Sequence, residues 1–291
     1  MEETGSWLGR GSPLIIDFHT HITPPQVIAH RQEFLSRDAW FAELYSDPQA
    51  RLATAEDLIA EMDRAGVDKA ITFGFGWQDA GLCRMANDYV IEAVRRYPER
   101  LIGFAIVNPV LGRRAAWEIE RCADYGLRGV GELMPNGQGF SLDDETVMAP
   151  IVEVCQAHKL ILLTHTSEPI GHDYPGKGTV TPQVVYRFVQ RFPDVPLVCA
   201  HWGGGLPFYE LMPEVMRAFR NVYYDTAASL YLYRDRIFNL AAEIIANKVL
   251  FATDYPLITQ RAFLGRLRMA GLPPAILAGI QGENARQLLN L

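Results

Sequence analysis

The sequence predicts a closed (β/α)8 barrel, a single TIM-barrel domain spanning residues 1–291, with long loops at its rim and an extra C-terminal helix. Two observations carry this. Short apolar or β-branched runs alternate eight times with longer amphipathic segments, the rhythm of a parallel α/β fold. The short runs are continuously apolar rather than alternating, which suits strands buried on both faces. Periodicity alone leaves an open, doubly wound sheet as the runner-up. The length of 291 residues fits, because α/β barrels often exceed about 200 residues as one domain.

The expected strands are Leu14 to Phe18, Ala70 to Phe75, Leu101 to Val107, Gly129 to Leu133, Leu160 to Thr164, Leu197 to Ala200, Val222 to Asp225 and Val249 to Ala252. Helical patterns separate them. Thr54-Ala55-Glu56-Asp57 reads as a capping-box start for a helix through Arg64, stopped by Gly66. Further helices are expected over Asn87 to Tyr97, Arg113 to Tyr125, Asp144 to His158, Pro182 to Phe192, Leu206 to Phe219, Arg234 to Ala246 and Arg261 to Met269. Pro273 to Leu291 reads as the extra helix outside the barrel. Two connections are long. Ile22 to Arg51 carries Pro24-Pro25 and four aromatics, and Thr166 to Thr181 is rich in Gly and Pro. Long βα loops build the active-site rim of a barrel.

Composition narrows the function. Net charge is -7 with no long run of one sign, so the basic face that nucleic-acid binding needs is missing. No apolar run approaches the roughly 18 residues of a membrane span. Residues 1–10 lack the apolar core of a signal peptide. The four cysteines, Cys83, Cys122, Cys155 and Cys199, form no C-x-x-C pair and no disulfide framework. A cytoplasmic protein acting on a small molecule is the expectation.

The chemistry gathers at the strand ends. His19-Thr20-His21 closes the first strand, where residues i and i+2 face the same way. Glu132 ends the fourth strand, His165 the fifth, His201 the sixth and Asp254 the eighth. A barrel places all these ends on one face, so four of the seven histidines share it. Neutral imidazoles with carboxylates suit Zn²⁺ or a similar divalent ion with a position left for water.

Several motifs then resemble one family. Ile16-Asp17-Phe18-His19-Thr20-His21 looks like the opening motif of the amidohydrolase superfamily. His201-Trp202-Gly203-Gly204-Gly205-Leu206-Pro207-Phe208, Thr253-Asp254-Tyr255-Pro256 and Gly282-Glu283-Asn284-Ala285 resemble its amidohydrolase-2 branch, which includes the aminocarboxymuconate-semialdehyde decarboxylases. The resemblance implies His19, His21, His165 and Asp254 as metal ligands. It implies Asp254 as proton relay and His201 as a catalytic or second-metal imidazole. Glu132 sits where other branches bridge two ions, so one or two ions, most simply Zn²⁺, are implied. Homodimers are common in the branch. Its decarboxylases often carry an Arg soon after the Pro-Phe pair, and none follows Pro207-Phe208 here. With Glu132, this favours hydrolysis of a small amide, ester or lactone through a metal-activated water. Decarboxylation of a small carboxylic acid is the alternative, and a non-catalytic metal-binding scaffold the third reading.

Other residues carry two readings each. His172 and Lys177 are rim contacts to substrate or solvated loop residues. Trp77 and Trp202 line the pocket or pack in the core. Asp17 orients a ligand histidine or satisfies buried barrel polar groups. Asn108 is a rim candidate, and Cys199 reads as barrel filling.

Overall fold

The computed structural model describes residues 13–291; the reading of residues 1–10 as lacking a signal peptide lies outside them. Eight strands run in chain order around one sheet. They are β1 (Ile16–His21), β2 (Lys69–Phe73), β3 (Leu101–Ala105), β4 (Gly129–Leu133), β5 (Ile161–Thr164), β6 (Leu197–Cys199), β7 (Val222–Asp225) and β8 (Val249–Leu250). Each pairs in parallel with the next.

The ring closes between β1 and the chain leaving β8. Phe18 N–H donates to Phe251 C=O at 2.8 Å, Asp254 N–H to His19 C=O at 3.0 Å and His21 N–H to Tyr255 C=O at 2.7 Å. This decides for the closed barrel over the open sheet. Inside it packs an apolar core that includes Phe18, Phe73, Phe104, Leu163 and Val198. A second apolar layer lies between strands and helices, around Leu58, Val90, Ile119, Ile151, Phe188 and Phe238.

The capping box forms as read. Thr54 N–H donates to Asp57 Oδ2 at 2.9 Å and Asp57 N–H to Thr54 Oγ1 at 3.2 Å. The helix Ala55–Ala65 ends on Gly66 in the left-handed region. Three expected helices differ. The one read from Asn87 begins at Ala80, because Asp79 accepts from Leu82 N–H and the added turns bury Leu82, Cys83 and Ala86. The one read over Leu206 to Phe219 splits into a 3₁₀ turn, Leu206–Leu211, and a helix, Pro213–Ala218. Pro213 has no N–H to continue the first and serves well as a first helical residue. The one read from Arg234 runs over Arg236–Ile245, preceded by a short helix at Ser229–Leu232. The long first connection folds into Pro25–Ala29, Arg31–Arg37 and Ala39–Tyr45. Among the described residues no helix is long and apolar enough to cross a membrane.

The C-terminal segment forms two short helices, Pro274–Ala278 and Asn284–Leu289, joined by a π-helical turn. It plugs onto the base of β8. Phe251 N–H donates to Ile280 C=O at 2.9 Å. Asn284 Nδ2 donates to the carbonyls of Ala246 and Val249, both at 2.8 Å. Gly282 lies so close to β1 that an added Cβ would stand 2.0 Å from Leu14 O. Backbone oxygen cannot yield as a side-chain tip can, so Gly282→Ala should destabilise the protein by about 1–3 kcal/mol, read as a lowered denaturant midpoint. An unchanged midpoint would remove this contact from the account.

Candidate active site at the barrel mouth

His19 and His21 leave β1 with their rings turned to the barrel axis, and their Nε2 atoms are 3.2 Å apart. The register of β1 against β2 shifts between Asp17 and Thr20, and that of β4 against β5 between Val130 and Leu133. Such irregularities re-aim side chains, and these flank His19 and Glu132. His201 and Asp254 sit at φ 55° and 62°, a left-handed conformation that non-glycine residues adopt at a cost.

Two groups of donor atoms share Glu132. Its Oε2 lies 3.5 Å from His19 Nε2 and 3.7 Å from His21 Nε2. Asp254 Oδ1 stands 3.6 and 3.3 Å from the same two nitrogens. On the other side, Glu132 Oε1 is 3.0 Å from His165 Nδ1 and 3.5 Å from His201 Nε2. His165 Nδ1 and His201 Nε2 are 3.1 Å apart. His165, expected beside His19 and His21, is therefore grouped with His201 across the Glu132 carboxylate.

Counting hydrogens shows what the first group lacks. His19 Nδ1 faces Asp225 Oδ2 at 2.8 Å and His21 Nδ1 faces Gly74 C=O at 3.4 Å. Both partners only accept, so each neutral ring carries its hydrogen on Nδ1 and turns a bare Nε2 inward. Two lone pairs and two carboxylates then converge with no hydrogen among them. A positive charge must sit there. With only protons to supply it, burial pushes the two buried imidazoles down, but neighbouring carboxylates outweigh it. Glu132 and Asp225 hold His19 well above its usual pKa. Glu132, Asp254 and Asp225 raise His201 to about 9. Burial raises Asp254 in turn, but the hydrogen bond to His21 and the charges of His19, His21 and His201 leave it at about 2. A divalent ion answers the same need. Donors around a tetrahedral ion bound at about 2.0–2.1 Å stand about 3.3 Å apart, close to the distances seen, so these residues fit a metal.

Above the centre opens a cavity of about 460 Å³ that reaches His21, Glu132, His165, His201 and Asp254. Its walls are mostly apolar, with Trp40, Leu44, Tyr45, Met134, Tyr174, Tyr231, Leu232 and Leu257. Arg51 is the one Arg or Lys among its described lining residues. The sequence reading passed over it, because nothing in its neighbours marks where three short helices deliver it.

Residues 16–291 match the amidohydrolase-2 family, described as amidohydrolase. The chain belongs to that family. Curated relatives agree. A 2-amino-3-carboxymuconate-6-semialdehyde decarboxylase of Dictyostelium discoideum is 27% identical over 241 residues, 67% of this chain and 64% of that protein. A gamma-resorcylate decarboxylase of a Polaromonas species is 26% identical over 217 residues, 60% of this chain and 65% of that protein. The match thus spans just under two thirds of each relative's length. The fold is that of 5-carboxyvanillate decarboxylase from Novosphingobium aromaticivorans, solved with manganese and 4-hydroxy-3-methoxy-5-nitrobenzoic acid. That structure has a TM-score of 0.79 and 21% identity, and the match covers 96% of each chain.

Of the expected substrate contacts, His172 lines the cavity. The other three do not. Trp77 is buried against Phe34, Phe41 and Phe75, beside the mouth but behind its wall. The left-handed turn at 201–203 directs Trp202 outward, where Nε1 donates to Ser229 Oγ at 2.6 Å and the ring packs on Phe238. Lys177 Nζ folds back onto the carbonyls of Gly171 and His172 at 3.1 and 3.0 Å. Asn108 caps the 3₁₀ turn after β3 by accepting from Val110 N–H at 3.1 Å. Asp17 satisfies buried barrel polar groups. It accepts from Thr253 Oγ1 at 2.6 Å, Gln260 Nε2 at 2.8 Å and the N–H groups of His19 and Thr253.

The rim loop over 166–181 is tied down by Glu168, which accepts from Tyr174 OH at 3.0 Å and Tyr233 OH at 2.6 Å. Glu168→Ala frees both hydroxyls and should raise amide hydrogen exchange across 170–178 by tenfold or more, since tenfold is about 1.4 kcal/mol and each bond to a charged group contributes about 1.5–3 kcal/mol. Unaltered exchange there would show that the loop is held otherwise.

Proposed function

We propose that this protein is a divalent-metal-dependent, non-oxidative decarboxylase of a small aromatic or muconate-like carboxylic acid. The observation that carries the reading is Arg51, the one Arg or Lys among the described residues lining a mostly apolar cavity over a cation-seeking centre. An apolar wall suits a planar hydrocarbon body, and a guanidinium fork suits a carboxylate. The sequence counted the missing Arg after Phe208 against decarboxylation; Arg51 offers the same chemistry from another segment. The names of the two curated relatives support this reading over hydrolysis.

His19, His21, Glu132 and Asp254 would hold the ion, with His165 buttressing Glu132. Mn²⁺, the ion of the Novosphingobium structure, and Zn²⁺ both accept such donors. When bound, the ion supplies Lewis-acid polarisation of the substrate's oxygens. The remaining work is proton transfer. Loss of carbon dioxide from a carboxylate leaves an electron pair on carbon, which must take one proton. His201, held by the contact of its Nδ1 with the Ala227 carbonyl at 3.1 Å, is the group to deliver that proton, with Asp254 as the relay.

One observation favours a second reading. Glu132 divides its oxygens between two donor groups, which would let His165 and His201 share a second ion in a hydrolase. The two readings separate by experiment. Under the first, purified protein holds one Mn²⁺ or Zn²⁺ per chain and releases carbon dioxide from hydroxybenzoates or muconate-like acids. Under the second it holds two, His201→Asn reduces two to one, and lactones or amides turn over without carbon dioxide. Absence of carbon dioxide across such a panel would sink the decarboxylase.

Two variants test the roles. His201→Asn should lower kcat by roughly 10²–10⁴ with KM little changed. Arg51→Met should raise KM by about 10–100-fold, the loss of about 1.5–3 kcal/mol for a bond to charge, with kcat much less affected. The opposite split would reassign the two residues.

A further inference from the structure

Asp225 ends β7 with its side chain fully buried, and the proposed reaction gives it no task. Its carboxylate is nonetheless committed on both oxygens. Oδ2 lies 2.8 Å from His19 Nδ1. Oδ1 accepts from His201 N–H and from Ala227 N–H, both at 3.0 Å. The Ala227 carbonyl lies 3.1 Å from His201 Nδ1.

We propose that Asp225 is the positioning residue of the centre, fixing His19 with a bare Nε2 and, through the backbone at 201 and 227, aiming His201. The inference rests on reading His19 as a metal ligand. A neutral imidazole has two tautomers. Placed among Glu132 and Asp254, the form with hydrogen on Nε2 would hydrogen-bond to them and bar a cation. A carboxylate opposite Nδ1 accepts only, so it selects the other form. Phe73 packs against the His19 ring at 5.0 Å between centroids, which opposes a flip. The second half of the role concerns the turn after β6. His201, Trp202 and Gly203 lie consecutively at φ 55°, 60° and 61°. The Asp225 bond to the His201 N–H anchors the start of that turn. The bond to Ala227 holds the loop whose carbonyl faces the His201 ring. One carboxylate thereby sets the orientation of imidazoles from β1 and β6.

Asp225→Asn tests this with little change of shape. The amide oxygen keeps the two backbone bonds, and the amide N–H now donates to His19 Nδ1, which drives the hydrogen onto Nε2. Affinity for Mn²⁺ and for Zn²⁺, measured by competition with a chelator, should fall roughly 10–100-fold while circular dichroism stays that of wild type. Affinity within twofold of wild type in the folded variant overturns the proposal. A second measurement needs no variant. In the Zn²⁺-loaded wild type, ring nitrogen shifts should report a protonated Nδ1 and a ligating Nε2 on His19. A bare Nδ1 overturns the proposal. Wild type that binds neither ion overturns it together with the metal reading. Wild type that binds an ion but releases no carbon dioxide overturns the decarboxylase alone.

Discussion

Asp254 N–H donates to His19 C=O, and that bond belongs to the set that closes the barrel. The constraint does two things at once. It removes the free sheet edge that eight parallel strands would otherwise expose. It also brings the chain leaving β8 against the end of β1, so Asp254 Oδ1 arrives 3.3 Å from His21 Nε2. Residues 235 positions apart meet because the sheet has no other way to finish. Without closure, His19 and His21 would be an exposed pair with little reason to bind anything.

What gathers at that seam would be unstable as bare charge. Glu132 and Asp225 are carboxylates taken out of water, and Asp254 is a third, mostly covered at the cavity floor. Burying an unpaired charge is costly enough that a group normally neutralises instead. Here the imidazoles answer first, which is why His201 is raised to about 9. The fold therefore holds a site with an unmet demand for positive charge, met by protons or by an ion. The left-handed backbone at His201 and Asp254 belongs to the same economy of position: strain at two residues aims two side chains.

The sequence revealed this site unevenly. His19, His21, Glu132, His165, His201 and Asp254 were legible because a parallel barrel sends every strand's C-terminal end to one face. Their grouping was not legible, since it depends on which way the Glu132 oxygens turn. Asp225 also ends a strand, yet no histidine or motif beside it marks it as part of the site. Arg51 could not be found, because three short helices set its place and no periodicity fixes how they fold. Trp77 and Trp202 look like rim residues by position alone. A turn with positive φ sends the second outward, and aromatic packing walls in the first.

The same unevenness explains why the reaction was harder to read than the fold. Closure, strand order and tail docking follow from apolar pattern and from a few backbone contacts, such as Gly282 against Leu14. Hydrolysis and decarboxylation can share every metal donor in the mouth. They differ in what approaches from above. A site for hydrolysis needs room for water at the centre. A site for decarboxylation needs a grip on the departing carboxylate and a dry place for the carbon to take its proton. The cavity walls are largely aromatic and aliphatic, with Arg51 among them, and it is on that composition that the proposed reading rests. Loop residues, with no strand-end position to announce them, thus decide the chemistry that the barrel only makes available.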